Sequence, residues 1–187
     1  MASSDHPLLT AYRPREPRFT LDELTLGSPP ETVEAARQLL LEYGRFVASQ
    51  SSVASFCFGA LEQEAAALPA SYVSGTGSAG VFLARDPDHA WIGSVAWRPL
   101  PLPELADAWE IKRLWVRPEV RGSGAGRGLV QAVLERARTA GKSCLFLDTA
   151  PDSMAAAHKL YLDLGFSPCS PYAGPATAGI VYMHKIL

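Results

Sequence analysis

The sequence predicts one α/β domain built on a mixed, mostly antiparallel central sheet with a splayed strand pair and flanking helices. Three observations carry that prediction. Apolar runs at 81–84, 91–97 and from Trp109 onward are separated by short Gly/Pro-rich segments, as in an antiparallel meander. A short, continuously apolar run at 144–147 follows an amphipathic stretch, as expected of a buried parallel neighbour. Apolar residues at 129, 130, 133, 134 and 137, and again at 154, 157, 160, 161 and 164, each fall on one helical face.

The elements follow in order. Residues 1–18 hold Pro7, Pro14 and Pro17 among Arg13, Arg15 and Arg18 and read as an irregular arm, with the domain proper at 19–187. Residues 19–26 alternate loosely as a first strand. Ser28-Pro29-Pro30-Glu31 is a helix start with proline set for the first turn, and the helix runs over 33–47. A second helix is expected over 56–68, ended by Pro69, then a loop at 75–80. Alternation breaks in the strand after Trp109, where Lys112 and Arg113 are adjacent polars followed by three apolars. The break reads as a bulge or a switch in burial, and either would splay two strands. A last strand is expected over 180–186, and no internal repeat appears.

At 187 residues the chain has the length of a single domain with a substantial core. Its net charge of -2 gives no global field for nucleic acid or an anionic membrane. No run approaches the ~18 apolar residues of a membrane span, and the N-terminus has no basic segment before a long apolar stretch. Cys57, Cys144 and Cys169 share no metal-like or redox-like spacing, and the odd count argues against a disulfide framework. The expectation is a soluble cytoplasmic protein with reduced cysteines and no metal.

Between 110 and 140 an apolar strand, a charged turn, a glycine comb and an amphipathic helix follow without a break. Glycines at 122, 124, 126 and 128 remove side chains that would keep a ligand off the backbone, and the helix behind them presents unpaired N–H groups and a positive dipole end. That describes an anion cradle sized for a phosphate chain. Arg121 and Arg127 flank the comb, with Lys112, Arg113 and Arg117 close in sequence. A dinucleotide fingerprint fails, because the sixth position holds Arg127 or Leu129 instead of glycine. A Walker-type loop fails as well, because Arg136 stands where its first glycine belongs.

The surviving match is Arg-x-x-Gly-x-Gly at 121–126, preceded by Leu114-Trp115-Val116-Arg117-Pro118. It resembles the acetyl-CoA loop of the GNAT family of N-acetyltransferases. Downstream, Ala157-x-x-Leu160-Tyr161-x-x-x-Gly165-Phe166 is similar to a second motif of that family. The resemblance covers roughly 30–187, including Leu147-Asp148-Thr149 and a Glu-x-x-x-Leu-Pro stretch near 58–69. Where many members carry Asn before the motif alanine, this chain has Met154.

The resemblance implies the acyl-CoA N-acyltransferase (GNAT) fold, acetyl-CoA as acyl donor, pantetheine along the backbone of Leu114, Trp115 and Val116, and pyrophosphate on Arg121, Gly122, Ser123, Gly124, Ala125, Gly126 and Arg127. A splayed strand beyond Leu114 would leave a backbone N–H free to polarise the thioester carbonyl. Spacing alone makes Tyr161 a core aromatic; the motif makes it the general acid, since a phenol with a reference pKa near ~10 stays protonated at neutral pH. Glu110 is the candidate base, directly or through water, because an ammonium acceptor must lose a proton before attack. His158, one turn from Tyr161, is expected at the surface.

Asp148 is read as a cap for the following helix, with binding of a substrate ammonium as the alternative. Arg113, Tyr72, Trp97 and Tyr172 are candidates for the acceptor pocket. In the tail, Ala173 and Gly174 stand where relatives often carry Asp and Asn. The expected activity is acetyl transfer from acetyl-CoA to a primary amine of a small molecule or amino acid, by direct attack in a ternary complex, with a homodimer as the candidate assembly. The rivals are a protein or peptide acetyltransferase acting on a lysine or N-terminus, and a non-catalytic acyl-CoA sensor.

Overall fold

The structure is a computed structural model, and it describes residues 18–50, 58–100 and 102–187. Along the chain come β1 (Thr20–Glu23), α1 (Pro30–Gln50), α2 (Phe58–Ala66), β2 (Gly80–Arg85), β3 (Trp91–Pro99), β4 (Ala108–Val116), α3 (Ala125–Thr139), β5 (Cys144–Thr149), α4 (Ala155–Asp163), β6 (Ser167–Cys169) and β7 (Val181–Ile186). They form one sheet in the order β1-β2-β3-β4-β5-β7-β6. The first four strands are an antiparallel meander, β5 joins β4 in parallel, and β7 lies antiparallel to both β5 and β6.

The expected meander and parallel neighbour are therefore present. The first strand is shorter than 19–26, because the chain turns at Thr25, whose N–H bonds the Ser28 hydroxyl at 2.9 Å. Of the second helix, residues 56 and 57 lie outside the described residues. β6 was not foreseen. Its three residues include Pro168, which carries no period-two signal and is tolerated only because the strand is at the sheet edge.

The strands' alternation builds two cores. One side of the sheet packs Leu39, Leu40, Leu61 and Leu68 of the α1–α2 layer on Leu83, Ala96 and Trp115. The other packs Leu129, Val130, Val133 and Leu134 of α3, with Tyr161 of α4, on Trp97, Trp109, Ile111, Leu145, Leu147 and Met183. Trp97 stacks 6.2 Å from Trp109 and presses on Gly80, where an added Cβ would lie 2.4 Å from the indole. Gly80→Ala should therefore cost about 1–3 kcal/mol by overpacking, read as a lowered urea midpoint at unchanged m-value.

Two irregularities shape the middle of the sheet. On β3, Ser94 and Ala96 are two residues apart, yet their β4 partners Trp115 and Lys112 are three apart. One extra residue is thus accommodated around Arg113 and Leu114. The break read in the sequence is thus a bulge, and Arg113 takes a left-handed φ of 58° there. Pairing of β4 with β5 is confined to Ala108↔Cys144, Trp109↔Leu145 and Glu110↔Phe146, after which the two strands part.

Candidate active site

A cavity of about 370 Å³ opens where β4 and β5 diverge. One wall is Leu114, Trp115 and Val116, the floor is the loop 120–127, and the opposite wall is Ser153, Met154 and the first turns of α4 through Leu160. All ten residues expected around the donor meet there: Leu114, Trp115, Val116, Arg121, Gly122, Ser123, Gly124, Ala125, Gly126 and Arg127.

The comb divides into loop and helix. Gly122 and Gly124 take φ values of 84° and 93°, a left-handed backbone that L side chains rarely adopt, whereas Gly126 and Gly128 already belong to α3. Gly124 is the N-cap residue and offers no side-chain acceptor to the helix. The Ala125 N–H is met by the Ser123 hydroxyl at 3.3 Å, while the N–H groups of Gly126 and Arg127 have no acceptor among the described residues. Two free donors and the dipole end therefore face the cavity floor. Gly128 answers a different demand, since a Cβ there would lie 2.5 Å from the Phe19 ring.

The basic residues near the comb do not converge on it. Arg117 pairs with Glu42 at 2.8 Å, Arg113 with Glu64 at 2.9 Å, and Lys112 with Asp148 at 2.9 Å and Glu110 at 3.3 Å. Only Arg121 and Arg127 line the cavity. Arg121 lies over Trp115 and Phe46, its centre 5.1 and 5.4 Å from their rings, and Arg127 holds Asp163 at 3.4 Å.

Tyr161 is 5% exposed and packs edge-on to Phe166, with no hydrogen bond to its hydroxyl among the described residues. Burial pushes its phenol well above the usual range, and nearby Tyr43 and Asp148 push it further. The ring is thus packed in a core, close enough to Tyr43 of the cavity wall and to Asp148 for both to disfavour its ionisation.

On the sheet face opposite that core Glu110, 4% exposed, receives Arg98 Nε at 3.0 Å, Lys112 Nζ at 3.3 Å and the Tyr172 hydroxyl at 2.9 Å. An exposed strand carboxylate is therefore ruled out. Burial and then Glu110 itself hold the Tyr172 phenol far above its ordinary value. Phe146 lies 4.9 Å from Tyr172 and 5.9 Å from His184, so aromatic rings border the carboxylates. Asp148 does not cap α4. It sits within β5 and bonds Lys112, and the N-cap of α4 is Met154 without a side-chain cap. Trp97 does not line an acceptor pocket either, because it points into the α3 core with no exposed surface. Tyr72 is 4% exposed and bound to Glu64. His158 is half-buried.

Glu42 and Glu64 both titrate below their usual value of 4.5: burial alone would raise them, but hydrogen bonds from Arg117 and Trp115, and from Arg113 and Tyr72, prevail. The unfolded chain then binds protons first as acid is added, so their stabilisation is intact above about pH 5 and lost as pH falls through the folded values. Urea midpoints should drop across this acid range, and less steeply in Glu42→Gln/Glu64→Gln.

The sequence profile of the acetyltransferase (GNAT) family matches residues 33–166. The chain belongs to the GNAT acetyltransferase family. An uncharacterized N-acetyltransferase of Schizosaccharomyces pombe is 36% identical over 103 residues, covering 55% of this chain and 61% of the relative. An IAA acetyltransferase of Azospirillum brasilense is 39% identical over 66 residues, covering 35% of this chain and 42% of that protein. The chain thus spans less than two thirds of the length of these curated relatives. Among solved structures, a GNAT protein of Kribbella flavida (TM-score 0.65, 18% identity, 91% and 98% of the two chains) shares the fold. So does the PaiA N-acetyltransferase of Thermoplasma acidophilum, solved with coenzyme A (TM-score 0.64, 14% identity, 90% and 99%).

In this GNAT domain the sequence pattern did not disclose Tyr43, Phe46, Val120 or the α4 first turn as cavity walls. Tyr43 and Phe46 lie one turn apart on α1, a spacing that reads as an ordinary packing stripe; nothing in it says which strand the stripe meets. Among the described residues, no group of acidic, His or Cys side chains is placed to hold a metal, and no helix is long and apolar enough to cross a membrane.

Proposed function

We propose that the protein transfers the acetyl group of acetyl-CoA to a primary amine of a small molecule or amino acid, by direct attack in a ternary complex. The observation that carries this reading is the cavity at the β4–β5 divergence, with free helix N-terminal donors on its floor and a carboxylate-rich, aromatic sheet face beyond it. Residues without side-chain bulk at 122, 124 and 126, and unpartnered N–H groups at 126 and 127, fit a diphosphate.

In this reading the pantetheine arm runs along Leu114, Trp115 and Val116, and the Leu114 N–H at the bulge polarises the thioester carbonyl. The acceptor ammonium gives up a proton to Glu110. Three donors already engage that carboxylate, so the transfer passes through water. The neutral amine attacks the carbonyl, the C–N bond forms as the C–S bond breaks, Tyr161 supplies a proton to the departing sulfur, and the second proton shed by the amine nitrogen as the amide forms passes through water to restore the phenol.

Two measurements test the proposal. Calorimetry should give saturable heat with coenzyme A, and thiol release from acetyl-CoA should rise with at least one member of a panel of amino acids, aminoalkyl compounds and lysine peptides. Absence of heat sinks it. Binding with no thiol release for any amine would make the domain a sensor, and release with peptides alone would move the acceptor to protein side chains or N-termini.

A further inference from the structure

We infer that Glu64 is a positioning residue for acyl transfer: from α2 it locks Arg113 in the left-handed conformation of the β4 bulge and so sets the direction of the Leu114 N–H. This rests on the reading above, in which that N–H faces the thioester carbonyl.

Arg113 is an unusual choice for its place. Its φ of 58° lies where a side chain crowds the backbone, and glycine or asparagine is the common occupant. Left to itself, the strand would relax toward an ordinary extended conformation, and a one-residue change of register would rotate the following N–H away. The guanidinium prevents this. Nη2 and Nε of Arg113 grip Oε1 and Oε2 of Glu64 at 2.9 and 3.2 Å, a two-point fork that fixes orientation as well as distance.

Tyr72 closes the triangle. Its hydroxyl donates to Glu64 Oε2 at 2.5 Å and accepts from Arg113 Nε at 3.2 Å, and the ring is 4% exposed. With both oxygens of Glu64 taken, this carboxylate is poorly placed to receive an acceptor amine. Its remaining consequence is mechanical: it ties α2 to a residue forty-nine positions away, beside the carbonyl-binding backbone. Arg113 also stands 6.0 Å from the Tyr43 ring on the cavity wall, so the fork joins α2, the bulge and the donor cavity.

The test uses the ketone analogue of acetyl-CoA in which a methylene replaces the thioester sulfur, enriched with ¹³C at the carbonyl. A hydrogen bond to that carbonyl moves its resonance downfield and weakens steeply with angle. The full-length wild-type protein should show this shift on binding. Glu64→Gln should lose about half of it or more while the analogue's Kd changes by less than about three-fold, because the diphosphate contacts are elsewhere. Arg113→Gly, which adopts the left-handed conformation without strain, should keep the shift, and adding Glu64→Gln to Arg113→Gly should change nothing more. Should Glu64→Gln not fold, Glu64→Asp, too short for the fork, gives the same comparison.

An unmoved resonance in a folded Glu64 variant that still binds overturns the inference alone. Equal losses from the Glu64 substitution with and without Arg113→Gly overturn it as well, since Glu64 would then act by another route. A wild-type protein that binds no coenzyme A overturns the acetyl-CoA reading and removes the ground beneath this one.

Discussion

Tyr161→Phe should lower kcat by about 100-fold or more while leaving KM for acetyl-CoA within about two-fold, because proton donation by a positioned side chain contributes roughly 10²–10⁴. Removing one oxygen from a buried ring leaves the packing against Phe166 in place. The hydroxyl has no hydrogen bond to lose among the described residues, so stability should stay near wild type or rise slightly. A phenol held above its ordinary range remains protonated throughout the neutral region. The remaining activity of the variant should therefore gain from acyl donors with more acidic leaving thiols, which need less help at sulfur. Steady-state kinetics with two such thioesters check this. Equal kcat values for variant and wild type would show that the departing thiolate takes its proton from water or from another side chain.

Gly126→Asp should abolish measurable coenzyme A binding without unfolding the domain. A Cβ at 126 meets only ordinary contacts, 3.5 Å to Val116 and 3.7 Å to Leu160, so the side chain has room. An acid in the first turn of a helix is favourable in itself. Placed ~4–5 Å from a phosphate, however, the new carboxylate would cost about 3–4 kcal/mol at an effective dielectric of about 20, which is 100-fold or more in affinity. Calorimetry for Kd and thermal melting for integrity separate the two effects. Undiminished affinity in a stable Gly126→Asp protein would move the diphosphate off this loop.

The parts of the site legible in the sequence are those whose logic is local. The comb, the strand before it and the helix behind it follow one another within 110–140, and a loop of that kind specifies its own geometry. The break at Lys112 and Arg113 was legible too, because two adjacent polars cannot both face one side of a strand. What failed depended on parity and tertiary approach. Trp97 was assigned to the acceptor side, yet the register with β4 turns it toward α3. Asp148 was read as a cap because the apolar run stops at Leu147, whereas pairing with β7 carries the strand on to Thr149. The basic residues at 112, 113 and 117 are near the comb in sequence, but partners 36 to 75 positions away claim them. No pattern along the chain announces such a partner.

Phe19 fills the space that a side chain at 128 would take, so the residue leading into edge strand β1 leans directly on the opening turn of α3. Whatever settles on that turn also braces the margin of the sheet, and fraying at the margin is felt at the turn. A ligand held on that turn as proposed would be gripped more weakly in molecules whose β1 had detached.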